Sequence, residues 1–153
     1  MRTSSRRLLL ALTTVAVVVA LGGGCRSDND EDALSKDEYI EQADAICADM
    51  NDAVDAAFEE HFGGSDNPSE EQIEAFVAEI GPVVHRRIDE VRALPAPEGD
   101  EDLLEQLFGN FDDAVSRIEE NPVPAFRGQT DIFGDFNARA REYGVEQCTT
   151  EPA

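Results

Sequence analysis

The sequence predicts an all-α chain, most simply a four-helix up-down bundle, and three observations lead there. Two boxes, Ser35 to Glu38 and Ser69 to Gln72, each open an apolar run. They mark helix starts because the serine hydroxyl and the side chain three residues on satisfy each other's backbone amides. Apolar residues then recur every three to four positions over long segments. No segment sustains the polar-apolar alternation with β-branched enrichment that a strand requires.

From the Ser35 cap, the stripe Tyr39, Ala43, Ile46/Cys47, Met50, Val54 and Phe58 predicts a long first helix ending near Gly63-Gly64. The Ser69 box follows Pro68 and opens the stripe Ile73, Phe76/Val77, Ile80, Val84, Ile88 and Val91. Gly81-Pro82 falls inside this second helix, which is therefore expected to kink or split there: proline lacks the amide hydrogen and clashes with the preceding turn. The pattern stops at Leu94-Pro95-Ala96-Pro97. Asp100 is expected to cap a third helix bearing Leu103/Leu104, Leu107/Phe108, Phe111, Val115 and Ile118, which Asn121-Pro122 ends. Pro124 and Gly128 weaken the start of a fourth. Even so, Ile132/Phe133, Phe136, Ala140 and Tyr143 keep the helical spacing, and Gly144 is placed to close it in a left-handed conformation.

Ahead of the helices the chain reads as a targeting segment. Arg2, Arg6 and Arg7 form a basic start, followed by the apolar run Leu8 to Leu21 and then Gly22-Gly23-Gly24-Cys25. That run is shorter than the roughly 20 apolar residues of a stable membrane span, so cleavage is expected rather than retention as an anchor. The segment resembles the lipobox of bacterial lipoproteins, in which a cysteine thiol accepts a diacylglyceryl group and cleavage falls just before it. Leu21 stands four residues before Cys25, where the lipobox places it three before. A plain secretory signal and an uncleaved anchor are the competing readings, and Ser5-Arg6-Arg7-Leu8-Leu9-Leu10 leaves general and twin-arginine export both open.

The expected organisation is a lipoprotein signal peptide over residues 1–24, a disordered acidic tether over 25–34, a helical domain over 35–148 and a disordered tail over 149–153. Lipid on Cys25 would then hold the domain at the extracytoplasmic face of the cell membrane, since two acyl chains anchor where one is marginal.

The whole chain has a formal net charge of −22, and loss of a segment with three arginines and no acid makes the remainder more negative still. Such a surface argues against nucleic acid as a partner and is repelled by anionic headgroups, so the lipid and not the domain would hold the membrane.

With Cys25 assigned to lipid, Cys47 and Cys148 remain, and an even pair in an exported domain is most simply a disulfide. A buried free thiol with an exposed one is the alternative. A redox pair lacks support, because there is no Cys-x-x-Cys.

Three stretches resemble small secreted or lipid-anchored helical proteins of actinobacteria: Ala43-Asp44-Ala45-Ile46-Cys47, Leu94-Pro95-Ala96-Pro97-Glu98-Gly99 and Tyr143-Gly144-Val145-Glu146-Gln147-Cys148. The resemblance implies a cysteine pair and a helical domain, and brings no catalytic residues.

No Gly-x-Ser-x-Gly, His-Glu-x-x-His, phosphate loop, dinucleotide fingerprint or haem attachment motif occurs. His61, beside Glu59 and Glu60, reads as a dipole-compensating helix end and His85 as half-exposed surface, so neither a metal nor any other cofactor is expected. Paired acids such as Glu70-Glu71, Asp112-Asp113 and Glu119-Glu120 lack a calcium-loop pattern and read as solvated faces. Arg86, Arg87, Arg92, Arg139 and Arg141 are expected to pair with acids between helices, with an anion-binding cluster as the sharper alternative. Phe108, Phe111, Phe126, Phe133 and Phe136 fit a packed core better than the lining of a cavity. The expected function is non-enzymatic: an anchored module that binds an envelope protein or component, or else a carrier of an apolar or small anionic ligand.

Overall fold

The computed structural model describes residues 33–128 and 132–150. The expected signal peptide, Cys25 and the tether as far as residue 32 lie outside the described residues, as do residues 129–131 and 151–153.

The chain is all-helical, and no strand occurs among the described residues. Its elements are α1 (Lys36–Phe62), α2 (Glu70–Arg92), α3 (Glu101–Glu120), α4 (Pro122–Phe126), α5 (Gly134–Tyr143) and a 3-10 turn over Glu146–Cys148. Both capping boxes form. Glu38 N–H donates to Ser35 Oγ at 3.3 Å, while Ser35 N–H donates to Glu38 Oε2 at 3.1 Å. Gln72 N–H donates to Ser69 Oγ at 3.2 Å and Ser69 N–H to Gln72 Oε1 at 3.0 Å. Gly63, at φ 51°, closes α1 in the left-handed region, and Gly144, at φ 115°, closes α5.

Three local expectations are refined. The second helix is not split: α2 runs unbroken through Gly81-Pro82. Pro82 and Ala78, whose carbonyl loses its usual donor, are both exposed, so water can take the place of the missing amide. Asp100 makes no side-chain capping bond at the start of α3; its carboxylate instead accepts the Tyr143 hydroxyl at 2.8 Å. Finally, the described residues hold five α-helices where the sequence predicts four. The additional helix, α4, begins with Pro122 at its first position and Pro124 two on, where amide hydrogens have no intrahelical acceptor to lose.

Helix α1 packs on α2, α2 on α3, and α3 on α5; α4 lies against α2 and α3. Two apolar clusters fill the interior. The larger joins Tyr39, Ala43, Cys47 and Met50 of α1 to Ile88 and Val91 of α2, to Leu104, Leu107, Phe108 and Phe111 of α3, and to Phe136, Ala140 and Tyr143 of α5. Leu34, at the end of the expected tether, packs against it. The smaller gathers Ala57, Phe62, Ile73, Phe76, Val77 and Ile80, with Phe126 of α4 packed alongside. Of the phenylalanines weighed as core or cavity lining, Phe108, Phe111 and Phe136 are buried core.

Cys47 and Cys148 are joined in a disulfide, across a sequence separation of 101 residues. Two α1 side chains fasten the turn beside it. Gln147 N–H donates to Asp44 Oδ1 at 3.0 Å, and Asn51 Nδ2 donates to the Gln147 carbonyl at 2.8 Å. Burial raises the Asp44 carboxyl above its ordinary value, and the Gln147 amide opposes that shift. Thr150, placed by the sequence in a loose tail, is also held: its N–H donates to Asn137 Oδ1 at 2.9 Å and its carbonyl accepts Asn137 Nδ2 at 2.7 Å.

Candidate functional site

Helix lengths create the site. The 27 residues of α1 extend about 40 Å and the 10 residues of α5 about 15 Å, at 1.5 Å per residue. Helix α5 therefore covers the larger cluster and stops short of the rest of the α1–α2–α3 surface. Apolar side chains continue beyond the covered part: Val54 on α1, Val84 on α2 and Ile118 on α3 are each half-buried.

These residues wall a half-open pocket of ≈ 560 Å³ at the seam between the two clusters. Met50 and Val54 form its α1 side, Val77, Ile80 and Val84 its α2 side, and Phe111, Val115 and Ile118 its α3 side. Phe133, just ahead of α5, and Phe76 complete the apolar wall. The volume falls within the roughly 300–1,000 Å³ of small-molecule sites. A pinned chain end supplies a further wall, since Thr149 and Thr150 line the pocket and owe their position to Asn137 and the disulfide.

Polar groups gather on the pocket's solvent side. Asp55 of α1 and Glu119 of α3 line it and are exposed, and Asn51 joins them. Glu119 lies directly over the backbone of α2 at Gly81; a Cβ there would stand 2.5 Å from Glu119 Oε1. Glycine is what allows that approach. His85 Nε2 meets the same oxygen at 3.2 Å, while His85 Nδ1 lies 3.8 Å from Asp112 Oδ1. Asp112 also accepts from Arg92. The two carboxylates address opposite nitrogens of one ring, so the three side chains do not converge on a common point. Among the described residues no group of three or more His, Cys, Asp or Glu side chains could hold a metal ion.

The remaining candidates fall elsewhere. His61, beside Glu59 and Glu60 in sequence, pairs across to Glu79 of α2 at 2.9 Å. Arg87 bridges Glu90 at 2.7 Å and Asp49 of α1 at 3.9 Å; Arg92 reaches Glu105 at 3.4 Å as well as Asp112. Arg86, Arg139 and Arg141 form no ion pair within 4.0 Å among the described residues, and the five arginines do not assemble into one anion cradle. Phe126 stacks on Phe58 and meets Phe62 at a tilt and Phe76 edge-on at the far end of the domain.

Among the described residues, no helix is long and apolar enough to cross a membrane. No family model, curated protein or solved structure matches the chain. The chemistry of the pocket therefore rests on its own residues: an apolar wall that favours an apolar body by desolvation, and a solvent-side edge bearing carboxylates and amide or hydroxyl groups.

Sequence patterning does not separate pocket from core here. Val77, Ile80, Val84, Val115 and Ile118 occupy ordinary stripe positions. The signal that could have found the pocket is the mismatch between three long stripes and a fourth of ten residues.

Proposed function

We propose that this chain is a membrane-anchored extracytoplasmic lipoprotein, tethered by lipid on Cys25, whose helical domain is a non-enzymatic binding module. The module keeps an apolar ligand in the pocket between α1, α2 and α3. The observation that carries this reading is the ≈ 560 Å³ space itself, walled by at least eight apolar side chains from three helices. An address outside the cytoplasm is supported by the Cys47–Cys148 bond, because disulfides form and persist in oxidising compartments. The four longer helices are taken as an up-down bundle. Sequential packing of α1 on α2, α2 on α3 and α3 on α5 supports that arrangement, as does Tyr39 near the start of α1 meeting Tyr143 at the end of α5, with ring centroids 6.1 Å apart.

Of the two ligand classes the sequence leaves open, the apolar one is preferred to the small anion, since Asp55 and Glu119 line the pocket and, among the described residues, no lysine or arginine does. A protein partner in the envelope is the second reading. It rests on Phe58, 39% exposed at the edge of the aromatic group at the far end of the domain. Among the described residues the other exposed large apolar side chain is Leu103, in the first turn of α3 and outside that group, so no broad apolar face joins the two.

Native mass spectrometry of protein purified from its host tests the ligand: a co-purified apolar molecule is expected, and its loss in the Val54→Phe, Val84→Phe double variant places it in the pocket. Protein free of small molecules but crosslinked through position 58 to an envelope protein overturns the ligand reading in favour of the second. For the anchor, Cys25→Ser is expected to release the domain or leave an uncleaved precursor. A variant still processed and still membrane-bound overturns lipidation.

A further inference from the structure

The pocket pairs an apolar interior with an edge of one charge sign. Among the described residues its two charged lining residues, Asp55 of α1 and Glu119 of α3, are both acidic and both exposed. Two arginines of α2 are already engaged. Arg92 is held by Asp112 and Glu105, and Arg87 by Glu90 and Asp49. Among the described residues His85 is the basic side chain that pairs with the edge, through Glu119, and its other nitrogen faces Asp112.

A ligand with an apolar body and an anionic head would bring its charge beside two carboxylates, with no guanidinium or ammonium of the described residues lining the space to receive it. A cationic head finds the opposite: two carboxylates at the solvent boundary, where the head stays partly hydrated while the body leaves water. A chain of net charge −22 raises the local concentration of such cations further.

We infer that the pocket is selective for cationic amphiphiles, binding an apolar tail between Met50, Val77, Ile80 and Ile118 and a quaternary or primary ammonium head between Asp55 and Glu119. This rests on the ligand-binding reading above and specifies the chemical class of its ligand.

Three probes with one tail and different heads separate the possibilities: dodecyltrimethylammonium, dodecanol and dodecanoate. They are titrated calorimetrically, below their micelle-forming concentrations, into the full chain carrying Cys25→Ser, which has no acyl group of its own to compete. The expected result is one site that takes dodecyltrimethylammonium at least tenfold more tightly than dodecanoate, with dodecanol between. Binding is expected to be lost in Val54→Phe, Val84→Phe. The preference for the cation should fall severalfold in Asp55→Asn, Glu119→Gln and stay unchanged in Glu41→Gln, Glu74→Gln, which removes the same charge from exposed positions outside the pocket lining. Equal affinity for all three probes, or tighter binding of dodecanoate, overturns the head-group selectivity and leaves the apolar pocket standing. Equal loss of preference in the two acid-to-amide pairs assigns it to net charge and likewise overturns the inference. Failure of every probe to bind removes the ligand-binding reading itself.

Discussion

The hydroxyl of Tyr143, in the last turn of α5, donates a 2.8 Å hydrogen bond to the carboxylate of Asp100, the residue that opens α3. This bond ties the end of the helical domain to its middle and takes Asp100 away from the capping role its position suggests. Tyr143→Phe removes the donor and leaves a half-buried carboxylate with one partner fewer. The expected cost is about 1.5 to 3 kcal/mol, the range for hydrogen bonds to charged groups. A urea double-mutant cycle with Asp100→Ala measures the coupling; fully additive losses would show that the bond contributes nothing.

The chain has two tyrosines, Tyr39 and Tyr143, so tyrosinate absorbance reports on them alone. Burial pushes Tyr39 up to about 12, and Tyr143 is raised by burial and then by the Asp100 carboxylate. Raised folded values mean that the native state binds these protons more tightly than the unfolded chain. Their contribution to stability is complete below the unfolded value near about 10 and is lost as pH rises through the folded values. Absorbance in the native protein is expected to rise near pH 12 or on alkaline unfolding, and near about 10 in urea. A native transition near about 10 would contradict the buried placement of both rings.

Reduction of the Cys47–Cys148 bond frees a loop with a sequence separation of 101 residues. In chain-entropy accounting the loss is about 4 to 5 kcal/mol, a large part of a small domain's stability. Both sulfurs are fully buried, so a reductant is expected to act slowly on the native protein and quickly in urea. Thiol counting over time, with and without denaturant, checks the rates, and urea melts of the Cys47→Ala, Cys148→Ala variant check the energy.

Two glycines should respond oppositely to alanine. At Gly144 the backbone is left-handed, at φ 115°, and a new Cβ would stand 3.0 Å from Ile40 Cδ1. Gly144→Ala is expected to destabilise by about 1 to 3 kcal/mol. At Gly81 the obstacle is the tip of a flexible side chain, Glu119, which can swing away. Gly81→Ala then gains helix propensity worth up to about 1 kcal/mol and separates Glu119 from His85. Thermal melts give the two signs, and the His85 ring resonances in NMR report the separation.

Most of the helical scaffold was legible because its signals are local. A serine with its partner three residues on, or a glycine that closes a helix, acts within one turn and needs no knowledge of the rest of the chain. Asp100 shows where that locality ends. Its carboxylate is equally able to cap and to receive a phenol, and the choice was made by Tyr143, 43 residues further along. Helix α4 escaped detection for a different reason: prolines that break a helix interior are harmless in its first turn, and the two cases look alike until the start is known. The pocket was illegible in kind. Val84 and Ile118 carry the same pattern whether a fourth helix covers them or stops short, and the covering length is a property of the assembled domain.

The bond between Cys47 and Cys148 also decides what a protease can achieve. Every connection between helices, including the exposed stretch Gly63 to Asn67, falls inside the span it closes. One cut anywhere in that span yields two segments that stay covalently joined, so a nicked molecule keeps both halves together and falls apart only on a reducing gel. A single hydrolytic event therefore opens the chain without releasing either part of it.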